Sequence, residues 1–228
     1  MAEIIQMYEK TWRIEDGFVR FFLVEGNEKA VMIDSGVSSP DAKKICESLT
    51  KLPIILLNTH GDGDHTAGTA AFDEIYIRKE DFYGCGVNER YPKVSLREIN
   101  DGEILDLGGR TLKIVTIPGH TKGSVAILDV EGRRLFAGDS VQTGNIYMFG
   151  EKRSREGYAD SLKKLVDMSA EYDFIIASHS EPVVSKDYAE KVLDSWTEVL
   201  KGRVSGTEVD LFGMKVKLFA TDVCGFYL

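Results

Sequence analysis

Asn58-Thr59-His60-Gly61-Asp62-Gly63-Asp64-His65 is the stretch on which the reading of this chain turns. Between His60 and His65 lie two imidazoles and two carboxylates, with glycine at the remaining positions. Nitrogen and oxygen donors gathered this closely suit a divalent transition metal. One histidine after a strand is more often a capping or surface residue, so the joint pattern carries the argument. Pro53 to Leu57, just before it, is apolar throughout, as a strand buried on both faces is. The other two histidines are placed the same way: His120 follows a strand-like run ending Thr116-Ile117-Pro118-Gly119, and His179 follows Ile175-Ile176-Ala177-Ser178. Asp139 closes Phe136-Ala137-Gly138. Strand ends meet at one edge of a sheet, where α/β folds bind their ligands. Gly61 and Gly63 are expected to let this crowded loop turn.

The rest of the chain frames that run. Its 228 residues, 43% hydrophobic and 29% charged, suffice for one sizeable core and exclude disorder. The net charge of −9, without a basic stripe, excludes a nucleic-acid partner. No apolar run approaches the roughly 20 residues of a membrane span, and Glu3 and Glu9 in an opening without an apolar stretch argue against a signal peptide. Cys46, Cys85 and Cys224 are widely spaced and odd in number, which predicts free thiols and a cytoplasmic location.

Phe18 to Val24 and Ala30 to Ile33 read as strands joined by a Gly26-Asn27 turn. Ser39 or Asp41 is placed to cap a helix over Ala42 to Thr50. Beyond the His/Asp loop a short helix runs to Phe72, Glu74 to Arg78 is a strand, and Asp81 to Ser95 is an irregular loop. Glu103 to Leu107, Thr111 to Ile117, Ser124 to Leu128 and Arg134 to Ala137 are strands, with turns at Gly108-Gly109 and Glu131-Gly132. Asp173 to Ala177 is another buried strand. Helical spacing predicts helices over Tyr158 to Met168 and Asp187 to Leu200, the latter with Val192, Leu193 and Trp196 inward. Val209 to Leu218 and Ala220 to Leu228 form a closing strand pair, at about 207–228, that packs on the sheet or on a partner subunit. One α/β layered domain over 1–228 is the expectation.

At the level of motifs the chain resembles the metallo-β-lactamase superfamily. Residues 58–65 are similar to its T-H-x-H-x-D-H signature, Asp34-Ser35-Gly36 to its first D-[ST]-G turn, and Pro118-Gly119-His120-Thr121-Lys122-Gly123-Ser124 to its P-G-H-[ST]-x-G-[ST] block. Ala137-Gly138-Asp139 and Ser178-His179 resemble its last two blocks. The resemblance, over roughly residues 18 to 180, implies a four-layer αββα sandwich with a dinuclear metal site at one edge. One residue departs from the pattern: Asp62 stands where the family usually has its second histidine.

Transferred residue by residue, the resemblance gives the first ion His60, Asp62 and His120. The second falls to Asp64, His65 and His179, with Asp139 bridging. Zinc is the favoured metal, and the oxygen donor of Asp62 shifts preference toward iron or manganese. Two divalent ions, three carboxylates and a bridging hydroxide sum to a neutral centre. The implied chemistry is attack by that hydroxide on a small ester, thioester, amide, lactone or phosphoester. Asp64 is the catalytic candidate, orienting the hydroxide or taking a proton. Asp34 either holds a ligand histidine or is a plain turn carboxylate.

The alternative is a flavodiiron-like oxidoreductase acting on O2 or NO, whose family carries Glu at the Asp62 position, here without a flavodoxin domain. A metal-free binding module on the same fold ranks below both, because every site position holds a donor. The loops Tyr83 to Tyr91 and Gly144 to Gly157 are expected to shape the pocket. The second carries Lys152, Arg153 and Arg155, and Arg153 and Arg155 are candidates for gripping an anionic small substrate. Cys85 reads as an incidental thiol. Neither the helical C-terminal domain of a glyoxalase II nor a nucleic-acid-processing insertion is legible, which sets those subfamilies aside. Homo-oligomerisation is left open.

Overall fold

The computed structural model describes residues 2–228. Seven strands form the first sheet in chain order: β1 (Glu3–Tyr8), β2 (Thr11–Asp16), β3 (Val19–Glu25), β4 (Ala30–Ile33), β5 (Ile54–Leu57), β6 (Glu74–Ile77) and β7 (Ser95–Glu98). Pairing is antiparallel from β1 to β4 and parallel from β4 to β7. The second half of the chain supplies β8 (Ile104–Asp106), β9 (Thr111–Thr116), β10 (Val125–Asp129), β11 (Arg134–Gly138), β12 (Asn145–Tyr147), β13 (Phe174–Ala177) and β14 (Val183–Ser185). The second sheet runs β14-β13-β11-β10-β9-β8. β12 leaves it to join β15 (Thr207–Leu211), β16 (Met214–Ala220) and β17 (Gly225–Tyr227) in a small third sheet, order β12-β17-β16-β15.

Side-chain alternation along single strands stacks these sheets. On β3, Phe21 and Leu23 point outward, where Ala42 and Cys46 of α1 (Ala42–Leu49), Phe82 of α2 (Lys79–Gly84) and Val87 of α3 (Val87–Arg90) cover them. Phe22 and Val24 point the other way and meet Leu112, Ile114, Ile127 and Phe136 of the second sheet. The outer face of that sheet, with Val115, Ala126 and Leu135, is covered by α4 (Arg155–Asp167) and α5 (Tyr188–Leu200) through Tyr158, Leu162 and Trp196. Both faces of the central strands of both sheets are therefore buried. Each large apolar side chain so enclosed is worth about 1.5–3 kcal/mol. This is the αββα sandwich, and it explains why β4 and β5 are apolar at every position.

Several local readings are corrected. Residues 81–95 are not an irregular loop: α2 and α3 lie there, too short to stand alone and held by the burial of Phe82 and Val87. The short helix expected before Phe72 is two 3₁₀ turns, Gly63–His65 and Thr69–Ala71. The tail holds three strands rather than two, with a tight turn at Phe212-Gly213 between β15 and β16. β1 and β2, unassigned from sequence, form an edge hairpin whose partly exposed, polar positions hide the strand period. In α5, Val192 and Trp196 are fully buried as expected, while Leu193 is only partly so. The three cysteines are buried and unpaired among the described residues. No helix among those residues is long and apolar enough to cross a membrane.

Candidate metal centre

Each site residue lies just beyond the end of a strand: Asp34 after β4, His60 to His65 after β5, His120 after β9, Asp139 after β11 and His179 after β13. Bonds between the two sheets bring these ends together. The Val125 N–H donates to the Thr59 carbonyl at 2.9 Å, and the Arg20 side chain of β3 donates to the carbonyls of Ala177 and Ser180, flanking His179. Gly138, at φ +54°, precedes Asp139, and a Cβ there would stand 2.8 Å from Thr59 Oγ1. Gly61 is needed for close approach, since a Cβ would meet Cys85 and Asp81, whereas Gly63 has open space around it.

All four histidines have Nδ1 engaged by the protein. His65 Nδ1 lies 2.9 Å from Asp34 Oδ2, His120 Nδ1 3.0 Å from the Tyr147 carbonyl, and His179 Nδ1 2.8 Å from the Phe18 carbonyl. These partners only accept, so each Nδ1 carries the hydrogen and each neutral ring has its lone pair on Nε2. Thr59 Oγ1 donates its hydrogen to Asp34 Oδ2 at 2.7 Å, leaving it to accept from His60 Nδ1 at 3.0 Å. Asp34 thus sits behind two histidines. It is fully buried and held at φ +62°, a conformation Asp tolerates better than most residues.

The four Nε2 atoms converge on Asp62, Asp64 and Asp139. On one side His65 Nε2 stands 3.6 Å from Asp64 and 3.3 Å from Asp139, and His179 Nε2 stands 3.4 Å and 3.2 Å from the same carboxylates. On the other, His120 Nε2 is 3.3 Å from Asp62 and 3.6 Å from Asp139, and His60 Nε2 is 3.9 Å from Asp62. Donors of one tetrahedral ion at zinc–ligand bond lengths lie roughly 3.3–3.6 Å apart. The four His–carboxylate distances among Asp64, His65, Asp139 and His179 lie at or close to that spacing. The set around His60, Asp62 and His120 is slightly wider. His60 Nε2, His65 Nε2 and Asp139 Oδ1 are buried without a hydrogen-bond partner among the described residues. Buried polar atoms left this way are costly unless something else satisfies them, and a cation does. The residues fit a metal.

Electrostatics divides the histidines. Burial and the neighbouring His65 push His60 down to about 3, so it is neutral. Burial also opposes charge on His65 and His179, but the Asp139 carboxylate outweighs it, joined by Asp34 at His65 and Asp64 at His179. His179 rises to about 10, and His65 well above its ordinary value. Asp62, Asp64 and Asp139 are all held below the usual carboxylate range by the surrounding histidines, despite burial. At neutral pH the metal-free chain therefore carries protons on His65 and His179 that a metal must displace. We expect metal loading near pH 7 to release about two protons per chain and to weaken as pH falls. Because its folded pKa is raised, His179 contributes stability to the metal-free fold below about 6.5 that is lost as pH rises through about 10. Calorimetric titration in two buffers of different ionisation enthalpy measures the release; none at all would mean neutral histidines.

The centre opens on a cavity of about 770 Å3, whose lining includes Asp62, Asp64, His120, Asp139 and His179. Lys152 and Arg153 enter it as cations, while Phe18, Val37 and Phe212 supply apolar wall. Of the two loops expected to shape it, Gly144 to Gly157 does so through Asn145, Tyr147, Lys152 and Arg153. The 83–91 loop instead contributes Gly84 and Cys85 to a neighbouring cavity. Arg155 does not line the site: it opens α4 and donates from Nε to the Met148 carbonyl at 2.5 Å. Cys85 is buried, and burial pushes its thiol up to about 12, far from nucleophilic range.

Sequence reasoning missed Asp81. Buried at the start of α2, it accepts from the N–H groups of Gly61 and Gly123 at 2.9 and 2.8 Å and from Thr121 Oγ1 at 2.6 Å. It therefore ties the His60 loop to the His120 loop. Only the acidic first turn of a helix hidden in a glycine-rich stretch would have signalled it.

Comparison with known proteins gives the following likenesses. The profile of the metallo-beta-lactamase superfamily matches residues 14–179. A hydroxyacylglutathione hydrolase of Synechococcus sp. (strain JA-2-3B'a(2-13)) is 29% identical over 155 residues, which cover 67% of this chain and 60% of that enzyme. The acyl-coenzyme A thioesterase MBLAC2 of Homo sapiens is 22% identical over 64% of this chain and 67% of its own length. Among solved structures, a metallo-beta-lactamase from Pontibacter korlensis superposes with a TM-score of 0.72 at 17% identity, covering 86% of this chain and 99% of that one. The sec-alkylsulfatase Pisa1 from Pseudomonas sp. gives 0.73 at 13% identity, covering 89% of this chain and 42% of that one.

Proposed function

The chain belongs to the metallo-β-lactamase superfamily, and on that premise we propose that it is a metal-dependent hydrolase of small acyl thioesters. The observation that carries the reading is the convergence of four histidine Nε2 atoms and three carboxylates on one open cavity. Asp64, His65, Asp139 and His179 would hold an ion, with His60, Asp62 and His120 as the remaining donors of the centre. When bound, such ions make water acidic enough to attack near neutral pH and offset the charge of the developing oxyanion.

The chain's own groups do the remaining work. Asp64 stays ionised at neutral pH, faces the cavity and is one quarter exposed, which suits it to orient the attacking water or accept its proton. Asp34 fixes the ring of His65 and, through Thr59, that of His60, keeping both lone pairs aimed at the centre. Lys152 and Arg153 offer positive charge to an anionic portion of the substrate in an otherwise acidic protein. Phe18, Val37 and Phe212 offer apolar contact to an acyl group. The names of two relatives, a hydroxyacylglutathione hydrolase and an acyl-coenzyme A thioesterase, support a thioester over the other acyl compounds.

The test is a panel of acyl thioesters, lactones, β-lactams and phosphodiesters, run on the metal-loaded chain with and without a chelator. Thioester hydrolysis at least about tenfold faster than the rest, abolished by chelation, is the expected result. Turnover confined to another class would overturn the substrate. An iron-loaded protein that hydrolyses nothing but consumes O2 with an external electron donor would instead favour the flavodiiron-like reading.

A further inference from the structure

The two halves of the metal centre differ in one respect: at the first, a protein cation is already in place. Arg153 Nη1 lies 2.7 Å from Asp62 Oδ2 and 3.4 Å from His120 Nε2. Two of the donors assigned to the first ion therefore face a guanidinium. His120 is prepared for it, because its Nδ1–H is committed to the Tyr147 carbonyl and its Nε2 has only a lone pair to offer. At the second half, no lysine or arginine among the described residues pairs with Asp64 or Asp139, and only histidines approach them.

The placement of Arg153 is built into the backbone. Ser154 donates its N–H to the Gly119 carbonyl at 2.8 Å, and Lys122 donates to the Lys152 carbonyl at 2.9 Å. These bonds bracket Arg153 on one loop and His120 on the other, so guanidinium and imidazole are laced together. The Arg153 side chain is only 12% exposed, and a guanidinium this far out of water needs an anionic partner. Asp62 is that partner. It is also the one ligand position at which the chain departs from its family, with a carboxylate where a neutral imidazole is usual. The extra negative charge and the extra positive charge arrive together.

We propose that Arg153 is the fixed cation of the first half-site: it satisfies Asp62 and His120 in place of an ion, so the chain binds one divalent ion, at Asp64, His65, Asp139 and His179. The inference rests on the metal-dependent reading above and specifies how many ions that reading requires. A planar, permanently charged group lines the cavity beside the remaining ion. It meets substrate by donating hydrogen bonds rather than by coordination.

The test is Zn2+ titrated by calorimetry into the metal-free full-length chain, with bound metal counted after desalting. It compares wild type with Arg153→Gln, which removes the cation at nearly constant shape, and Asp62→His, which removes its anchor and supplies a neutral donor. We expect one ion in wild type and two in each variant. Two ions in wild type would overturn the inference and leave the hydrolase reading standing. One ion in all three proteins would also overturn it, because Arg153 would then not be what excludes the second. No ion in any of them would overturn the metal-dependent reading itself.

Discussion

Asp139→Ala is expected to lose at least about 100-fold in metal affinity, and hydrolytic rate with it. Asp139 is the one carboxylate that reaches both halves of the centre, standing 3.3, 3.6 and 3.2 Å from the Nε2 atoms of His65, His120 and His179. With a single ion held by Asp64, His65, Asp139 and His179, Asp139 would still be among its donors. The variant also alters the metal-free protein. Without that charge, less opposes the burial that disfavours cationic His65 and His179, so both fall toward neutrality. The stability that protonated His179 contributes below about pH 10 shrinks accordingly. Metal analysis after desalting, together with melting curves between pH 6 and 10, measures both effects. Full metal content in the variant would refute the assignment of Asp139.

Deletion of residues 207–228 is expected to unfold the chain or lower its melting point drastically. Phe226 of β17 is fully buried, its ring 5.1 Å from that of Trp196 and 6.5 Å from that of Tyr158. Replacing such a side chain with alanine alone typically costs about 3–5 kcal/mol, against a total stability of about 5–15 kcal/mol for an ordinary domain. The deletion also removes the strand paired with β12, together with the Tyr188 hydroxyl's bond to the Val223 carbonyl. β12 carries the Tyr147 carbonyl that orients His120, so the damage extends to the metal centre. Phe226→Ala is the milder form, read by urea denaturation. Wild-type melting of the truncated protein would show that the tail is an appendage.

What was legible in the sequence was what chemistry constrains most tightly. Candidate metal donors are His, Asp or a few other residues placed after strands that end at the same edge, and by type and place His60, Asp139 and His179 were expected at the shared edge where the structure puts them. β4 and β5 were legible because burial between layers leaves them no polar position. β1 and β2 were not, since β1 is largely exposed and β2 mixes charged and apolar side chains, and α2 and α3 were hidden because tertiary burial of Phe82 and Val87 overrides a glycine-rich local signal. Asp81 acts mainly on backbone N–H groups, which leave no trace in side-chain identity. Arg153 and Arg155 looked equivalent as charges two positions apart. Only the pairing of the two loops distinguishes the arginine beside Asp62 from the one bound to Met148.

The candidate donors are shared between the layers: His60, Asp62, Asp64 and His65 extend from the first sheet, while His120, Asp139 and His179 extend from the second. Neither layer alone is a chelator. The bite of the chelate is the gap between two β-sheets, and that gap is set by side chains nowhere near the ion, such as Phe22 and Phe136, whose rings meet edge to face at 5.2 Å. In the metal-loaded chain, selectivity would thus be written partly in the hydrophobic interior, and drift in core volume would retune the centre while every donor stays in place.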